Sequence, residues 1–298
     1  MRPQTLELFL THNTHSILAD IARAVVRSGI KVRTEIENLS SGKAEGERVV
    51  ESIEAISQLV VSAEHIFRKE LEVIPEIFGF LLQNSNEVVH VHKEGEYLVS
   101  IQPLDGGDVV DSGYATGSLI GIYKQTPKDT LFSAKNLVAS MYVVYGTAMY
   151  LGVSFGKGLH IFKGQEDGVF NIERAFVTLK SDSHIAALGG FDTMAYVEGY
   201  RDLALKLSRD QFKLRYSGSL ISDMHLLFMK GGGLFIHHSK KLHLLTECCP
   251  IGFLLMQSGG YSTNGIRNLM SLETTNVGET TLFLGGTKEI VDVAMNML

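Results

Sequence analysis

The segment Asn136–Gly156, NLVASMYVVYGTAMYLGVSFG, carries no Asp, Glu, Lys or Arg along its whole length. A run this apolar belongs either in a bilayer or in a core covered on both sides by further layers. Its three Tyr, three Gly, two Ser and one Thr, with Gly146-Thr147 interrupting it, argue against a membrane span. The expectation is a buried helix followed by a buried strand, Ala148–Val153, at the centre of a layered α/β fold. The rest of the chain must supply the covering layers. At 298 residues, with 45% hydrophobic and 20% charged residues, it is long enough for one large domain or two subdomains, and wholesale disorder is excluded.

A net charge of −6 argues against nucleic acid or an anionic membrane as the main partner. Cys248 and Cys249 are adjacent and have no third cysteine to pair with, so a reduced, cytoplasmic protein with two small buried hydrophobes is expected. The first thirty residues mix charges without a compact apolar stretch, so no signal peptide is expected.

Helical spacing of Ile17, Leu18, Ile21, Ala22, Val25 and Val26 predicts a first helix ending at Gly29, and a second is predicted over residues 47–69. Strands are predicted at 87–91, 96–101, 117–123, 150–154, 158–162 and 168–171. After about Lys180 the pattern alternates: strand 185–188, helix 192–207, helix 216–229, strand 233–237, Lys241–Leu245 leading into a helix, strand 280–284 and helix 287–298.

One turn stands out. SIQPLDGGDVVD, residues 100–111, reads as a strand running into a Pro/Gly turn with a carboxylate, Asp105. Together with GSLIGIY (117–123), NLVAS (136–140), VYG (144–146), LRYSGSLISDMH (214–225), GGLF (232–235), KLHLLTE (241–247) and PIGFLLMQSGG (250–260), it forms an ordered set. That set resembles the class I fructose-1,6-bisphosphatases, whose fold is shared with sedoheptulose-1,7-bisphosphatases and, more distantly, inositol monophosphatases. The resemblance runs from about residue 10 to residue 298. It implies a layered α/β/α/β/α sandwich with two subdomains, 1–179 and 180–298, assembled as a homo-oligomer (dimer or tetramer). The implied reaction is Mg²⁺-dependent removal of a sugar C1 phosphate, with clustered carboxylates holding the cations.

Carried over residue by residue, the family's metal site is thin. Asp105 and Glu247 match metal-binding acids, and Asp105 is the candidate catalytic carboxylate. The first acid of the motif is Gln102, an acidic position falls on Lys43 after Gly42, and the window Leu81–Asn84 holds no acid. Gly106 and Gly107 keep the phosphate-facing backbone of the turn, but Asp108 puts a negative charge beside it. Like charges about 4 Å apart repel by about 1 kcal/mol in water and by more in a partly buried cleft. Lys43 would offset this by pairing with Asp105 or Asp108. The plainer alternatives are a turn-capping Asp105 and a Glu247 ion-paired to Lys241 or Lys43.

The resemblance further assigns Arg215 and Tyr216 to the distal sugar phosphate and Lys241 to the sugar, with His237 in place of a phosphate-binding Tyr. Arg215 and Tyr216 suit a purely structural interface equally well. An Asn of the family falls on Gly189 or Gly190. His90 and His92 are expected at the surface or an interface, and His237, His238 and His243 are not read as a zinc cluster.

Two functions follow. One is a sugar-phosphate-binding pseudoenzyme with weak or lost phosphatase activity, regulatory in role, for example as partner of an active paralogue. The other is a working Mg²⁺- or Mn²⁺-dependent phosphatase acting on the C1 phosphate of fructose 1,6-bisphosphate or sedoheptulose 1,7-bisphosphate, with Asp105, Glu87, Asp108 and Asp111 as a rearranged cation cage.

Overall fold

A computed structural model describes residues 4–40, 50–189 and 197–298. The expectations for Gly42, Lys43, Gly190 and residues 192–196 lie outside the described residues.

Three N-terminal helices, α1 (Leu6–Asn13), α2 (Ser16–Ser40) and α3 (Val50–Leu71), form the first layer. They cover an eight-stranded sheet of β1 (Ile77–Leu82), β2 (Val89–His90), β3 (Tyr97–Asp105), β4 (Thr116–Lys124), β6 (Leu137–Tyr145), β7 (Met149–Ser154), β8 (His160–Gly164) and β9 (Phe170–Arg174). Its order is β2-β1-β3-β4-β6-β7-β8-β9. A short β5 (Phe132–Ser133) pairs with β14 (Glu273–Thr274) beside it. The second sheet, ordered β11-β10-β12-β15-β13, contains β10 (Ile185–Gly189), β11 (Lys213–Leu214), β12 (Leu234–His243), β13 (Tyr261–Thr263) and β15 (Thr280–Gly286).

Helices α5 (Leu220–Lys230) and α6 (Cys249–Gln257) lie between the two sheets. Their Met224, Leu227, Ile251 and Leu254 share one core with Tyr142 of the first sheet and Phe235 and Phe283 of the second. Helices α4 (Glu198–Arg209) and α7 (Lys288–Met295) close the far face through Tyr200, Leu203, Val291 and Ala294. The order of layers is therefore α/β/α/β/α, as the resemblance implies.

The first half of the uncharged segment is a strand and not the expected helix: β6 and β7 form a hairpin through residues 146–148. Both faces of this hairpin are covered by helices, so its strands lack the alternation that marks a half-exposed strand. A short, continuously apolar run of that kind cannot be told from a buried helix by periodicity.

Helix α2 continues past Gly29 to Ser40. Gly29 is not a cap but a point of close packing, where a Cβ would lie 2.8 Å from Met149 Cε and 3.3 Å from Val143 Cγ1. Strand β1 lies where no strand was expected, β2 is two residues long where a longer strand was expected, and α5 begins at Leu220 rather than at Tyr216. The side chain of Ser219 caps α5 by accepting from Ser222 N–H at 3.1 Å. Strand β12 runs through Lys241 to His243, where a helix was expected to begin. No helix among the described residues is long and apolar enough to cross a membrane.

Candidate functional site

The end of β3 builds one wall of an open cleft. Pairing with β4 shifts register between Gln102 and Asp105, and the chain then turns through Gly106 at φ 74°, ψ 29°. A Cβ on Gly106 would lie 2.7 Å from Ser219 Cβ, so the turn needs glycine both for its left-handed backbone and for this contact. Opposite, a π turn, Leu244–Cys248, joins β12 to α6 and presents Glu247 inward. Such turns are uncommon and occur often at functional sites. The cleft, of about 510 Å³, is lined by Asp105, Asp108, Lys241 and Glu247, together with Gly106, Gly107 and the amides of Gln83, Asn84 and Gln102.

Asp105 spends one oxygen on its neighbours. Its Oδ2 accepts from Ser219 Oγ at 2.5 Å and from the Ile221 backbone N–H at 2.8 Å. Desolvation in the cleft wall pushes its carboxyl up to about 6; those hydrogen bonds oppose the rise, and the charge on Asp108 adds to it. The backbone N–H groups that act on it are those of Ile221, in the capping turn of α5, and of Gly106, in its own turn.

Glu247 is 3% exposed. Its Oε2 accepts from His243 N–H at 2.7 Å, and its Oε1 accepts from Gln102 Nε2 at 3.4 Å. Burial pushes Glu247 up to about 8; the His243 bond lowers it and Asp105 raises it further. The ion pair expected with Lys241 is absent among the described residues, and hydrogen bonds to Gln102 and His243 stand in its place. The other amide oxygen, Gln102 Oε1, is buried and has no hydrogen-bond partner.

Asp223, which the sequence reasoning missed, completes the cluster. It is the lone acid in the apolar run LISDMHLLF of α5, and that isolation was the available signal. Its two oxygens accept from Ser217 N–H at 3.0 and 3.2 Å, and burial pushes it up to about 7, with Asp105 contributing.

The structure brings Asp105, Gly106, Gly107, Lys241 and Glu247 to one cleft. Arg215, Tyr216 and His237 lie apart from it. Arg215 Nη1 donates to Leu214 O at 2.7 Å, and the residue lines a second recess of about 740 Å³ with Lys213 and Lys230. The Tyr216 ring lies over Gly189, where a Cβ would come within 2.9 Å of Tyr216 Cε2. His237 pairs with Gly189 across β10 and β12, and its Nδ1 lies 3.0 Å from Ser239 Oγ. Glycine at position 189 therefore makes room for the tyrosine.

Of the alternative cage, Asp108 lines the cleft, whereas Glu87 and Asp111 are exposed outside its lining. His90 is exposed on β2, and His92 Nε2 lies 2.7 Å from Glu72 O.

A Mg²⁺ ion demands near-octahedral oxygen ligation, with carboxylates as its protein anchors. Here Asp105 Oδ2 already accepts two hydrogen bonds, both Glu247 oxygens accept one each, and Gln102 directs an N–H at Glu247. Among the described residues, no group of three His, Cys, Asp or Glu side chains converges to hold a metal. The donor set of the described residues does not fit the ion.

Comparison with known proteins places the chain. The family profile described as Fructose-1-6-bisphosphatase, N-terminal domain, matches residues 7–174, and that of the C-terminal domain matches residues 179–298. The class 1 fructose-1,6-bisphosphatase of Syntrophotalea carbinolica is 32% identical over 248 residues, covering 80% of this chain and 77% of that protein. The class 1 enzyme of Campylobacter curvus is 28% identical over 78% of this chain and 79% of its own. In fold, the chain superposes on the holo form of Leishmania major fructose-1,6-bisphosphatase with a TM-score of 0.88 at 20% identity, covering 100% of this chain and 99% of that one. A putative sedoheptulose-1,7 bisphosphatase from Toxoplasma gondii gives 0.87 at 19% identity, covering 99% and 98%. With both domain profiles matched end to end, the chain belongs to the fructose-1,6-bisphosphatase family.

Proposed function

We propose that this chain binds a sugar phosphate and that its metal-dependent phosphatase activity is weak or lost. The observation that carries the proposal is the Gln102–Glu247 hydrogen bond in the cleft wall. An amide N–H, not a cation, meets Glu247 Oε1, and a neutral Glu247 is the state its burial favours. Gln83 and Asn84 add amides to the same wall, and among the described residues Asp105 and Asp108 outnumber the lining ammonium of Lys241 even with Glu247 neutral. That balance suits the hydroxyl groups of a sugar better than a dianionic phosphate. Arg215, Tyr216 and His237 would hold the ligand's distal phosphate, with Lys241 on the sugar, and the relatives' names support the sugar-bisphosphate class.

The two-part organisation, 1–179 and 180–298, is supported by the separate N- and C-terminal profiles. A homo-oligomeric assembly, a regulatory partnership with an active paralogue and a cytoplasmic location belong to the same proposal. Free, buried Cys248 and Cys249 support the last.

The test is hydrolysis of fructose 1,6-bisphosphate and sedoheptulose 1,7-bisphosphate while Mg²⁺ and Mn²⁺ are titrated, alongside thermal shifts with the same sugars in EDTA. The expected result is stabilisation without metal and no turnover. Metal-dependent turnover that Asp105→Asn abolishes would overturn the proposal.

A further inference from the structure

Asp105 lines the cleft, and its Oδ2 takes two hydrogen bonds from the start of α5. Ser219 Oγ donates to Asp105 Oδ2 at 2.5 Å and at the same time accepts from Ser222 N–H at 3.1 Å, capping α5. The Ile221 N–H, one of the first-turn donors that a helix leaves without an internal partner, reaches the same Oδ2 at 2.8 Å. Ser222 Oγ donates to Ala115 O at 2.7 Å, tying this turn to the residue just before β4. On the other side of the cap, Asp223 accepts Ser217 N–H, and Ser217 Oγ donates to Ser219 O at 3.3 Å. The segment leading into α5 is therefore fixed at both ends. Arg215 N–H donates to Ala186 O on β10 at 2.8 Å, and the Asp105–Ser219–Asp223 network holds residues 217–223 against the first sheet.

We propose that Asp105 is a positioning residue: its carboxylate clasps the first turn of α5 and thereby sets the conformation of Arg215–Gly218 for binding a sugar phosphate. The binding half of this proposal rests on the function proposed above; the clasp does not. The geometry also separates the clasp from metal ligation. A clasp needs only a hydrogen-bond acceptor at this place, which an amide oxygen provides, whereas a Mg²⁺ ligand needs the carboxylate charge.

Three full-length chains, wild type, Asp105→Ala and Asp105→Asn, are compared in EDTA by calorimetric titration with fructose 6-phosphate and fructose 1,6-bisphosphate. Hydrogen exchange of residues 215–223 is followed in the same samples without ligand. Losing two hydrogen bonds to a charged group predicts affinity roughly tenfold weaker in Asp105→Ala, with Asp105→Asn within about twofold of wild type. Exchange at Ile221 rises at least about tenfold in the Ala variant and stays near wild type in the Asn variant. Ser219→Ala reproduces the Ala phenotype and adds little on top of it, because both changes break one network.

An Asn variant as damaged as the Ala variant overturns the clasp, as does an Ala variant with unchanged exchange. A wild-type chain that binds neither sugar phosphate overturns the proposed function and the binding half of this inference. Exchange in the three chains then still decides the clasp.

Discussion

Glu247→Gln is predicted to make the protein more stable at alkaline pH. Glu247 is almost wholly buried, and its carboxyl is held from the ordinary 4.5 up to about 8. The unfolded chain releases this proton near 4.5, and the native state releases it only near 8. Between those values the native state binds more protons than the unfolded one, so stability falls as pH rises. The contribution is fully present below pH 4.5 and is lost by the time pH has passed 8.

Asp105 and Asp223 act in the same direction, but they are raised only to about 6 and about 7, so their losses are largely complete at neutral pH. Of these three carboxyls Glu247 therefore contributes most of the loss between pH 7 and pH 9, and comparing the variant with wild type removes the shares of Asp223, Cys248 and Cys249. Linkage gives a loss there of about 1.4 kcal/mol, with a ceiling near 5 kcal/mol over the whole range. A glutamine at 247 has no proton to lose. Its carbonyl can accept from His243 N–H, and its amide can pair with that of Gln102 once the Gln102 amide turns its oxygen toward it.

Urea unfolding at pH 5, 7 and 9 checks this through the difference in midpoint between variant and wild type, read with an unchanged m-value. The wild type should lose stability from pH 7 to 9 and the variant should lose about 1 kcal/mol less. A variant that is destabilised equally at every pH, or one whose loss from 7 to 9 matches wild type, would refute the neutral carboxyl–amide pair.

Other outcomes follow from packing and from the anion-binding residues. Gly152→Ala should destabilise by about 3 kcal/mol in urea unfolding, because its Cβ would fall within the buried Tyr142 ring across β6 and β7. That ring is held by a hydrogen bond of 2.9 Å to His225 Nδ1 and cannot retreat cheaply. Gly29→Val should cost about 2 kcal/mol at the α2–sheet contact, read as a lowered urea midpoint, with overpacking outweighing any gain in helix propensity. Arg215→Lys should weaken sugar-phosphate binding in calorimetry by about tenfold, since a point charge replaces a planar fork. Adding Mg²⁺ should leave the thermal midpoint of wild type with sugar phosphate unchanged, whereas a working cation site would raise it.

The carboxylate turn and the first long helix were legible in the sequence because they rest on local rules, whereas the layer order came from the family resemblance. Pro103, Gly106 and Gly107 mark the turn, and helical spacing from Ile17 marks α2. What escaped was information held by distant partners. Residues 137–145 are a strand because helices cover both their faces, a fact about neighbours far along the chain. Ser219 and Asp223 were overlooked because their roles appear only when α5 meets the end of β3. Gln102 was noticed as a missing acid, but only the fold shows its amide facing Glu247.

The shared middle layer has a consequence for how the molecule holds together. Because α5 and α6 are apolar toward both sheets, the core between the sheets belongs to neither half alone. Leu98 and Tyr123 of the first sheet lie in it with Phe235 and Phe283 of the second. Severing the chain between Leu179 and Lys180 would leave each fragment with a bare, water-exposed sheet or helix face. The fragments should therefore be insoluble when expressed apart and recoverable only as a complementing pair. The whole chain should therefore unfold as one cooperative unit.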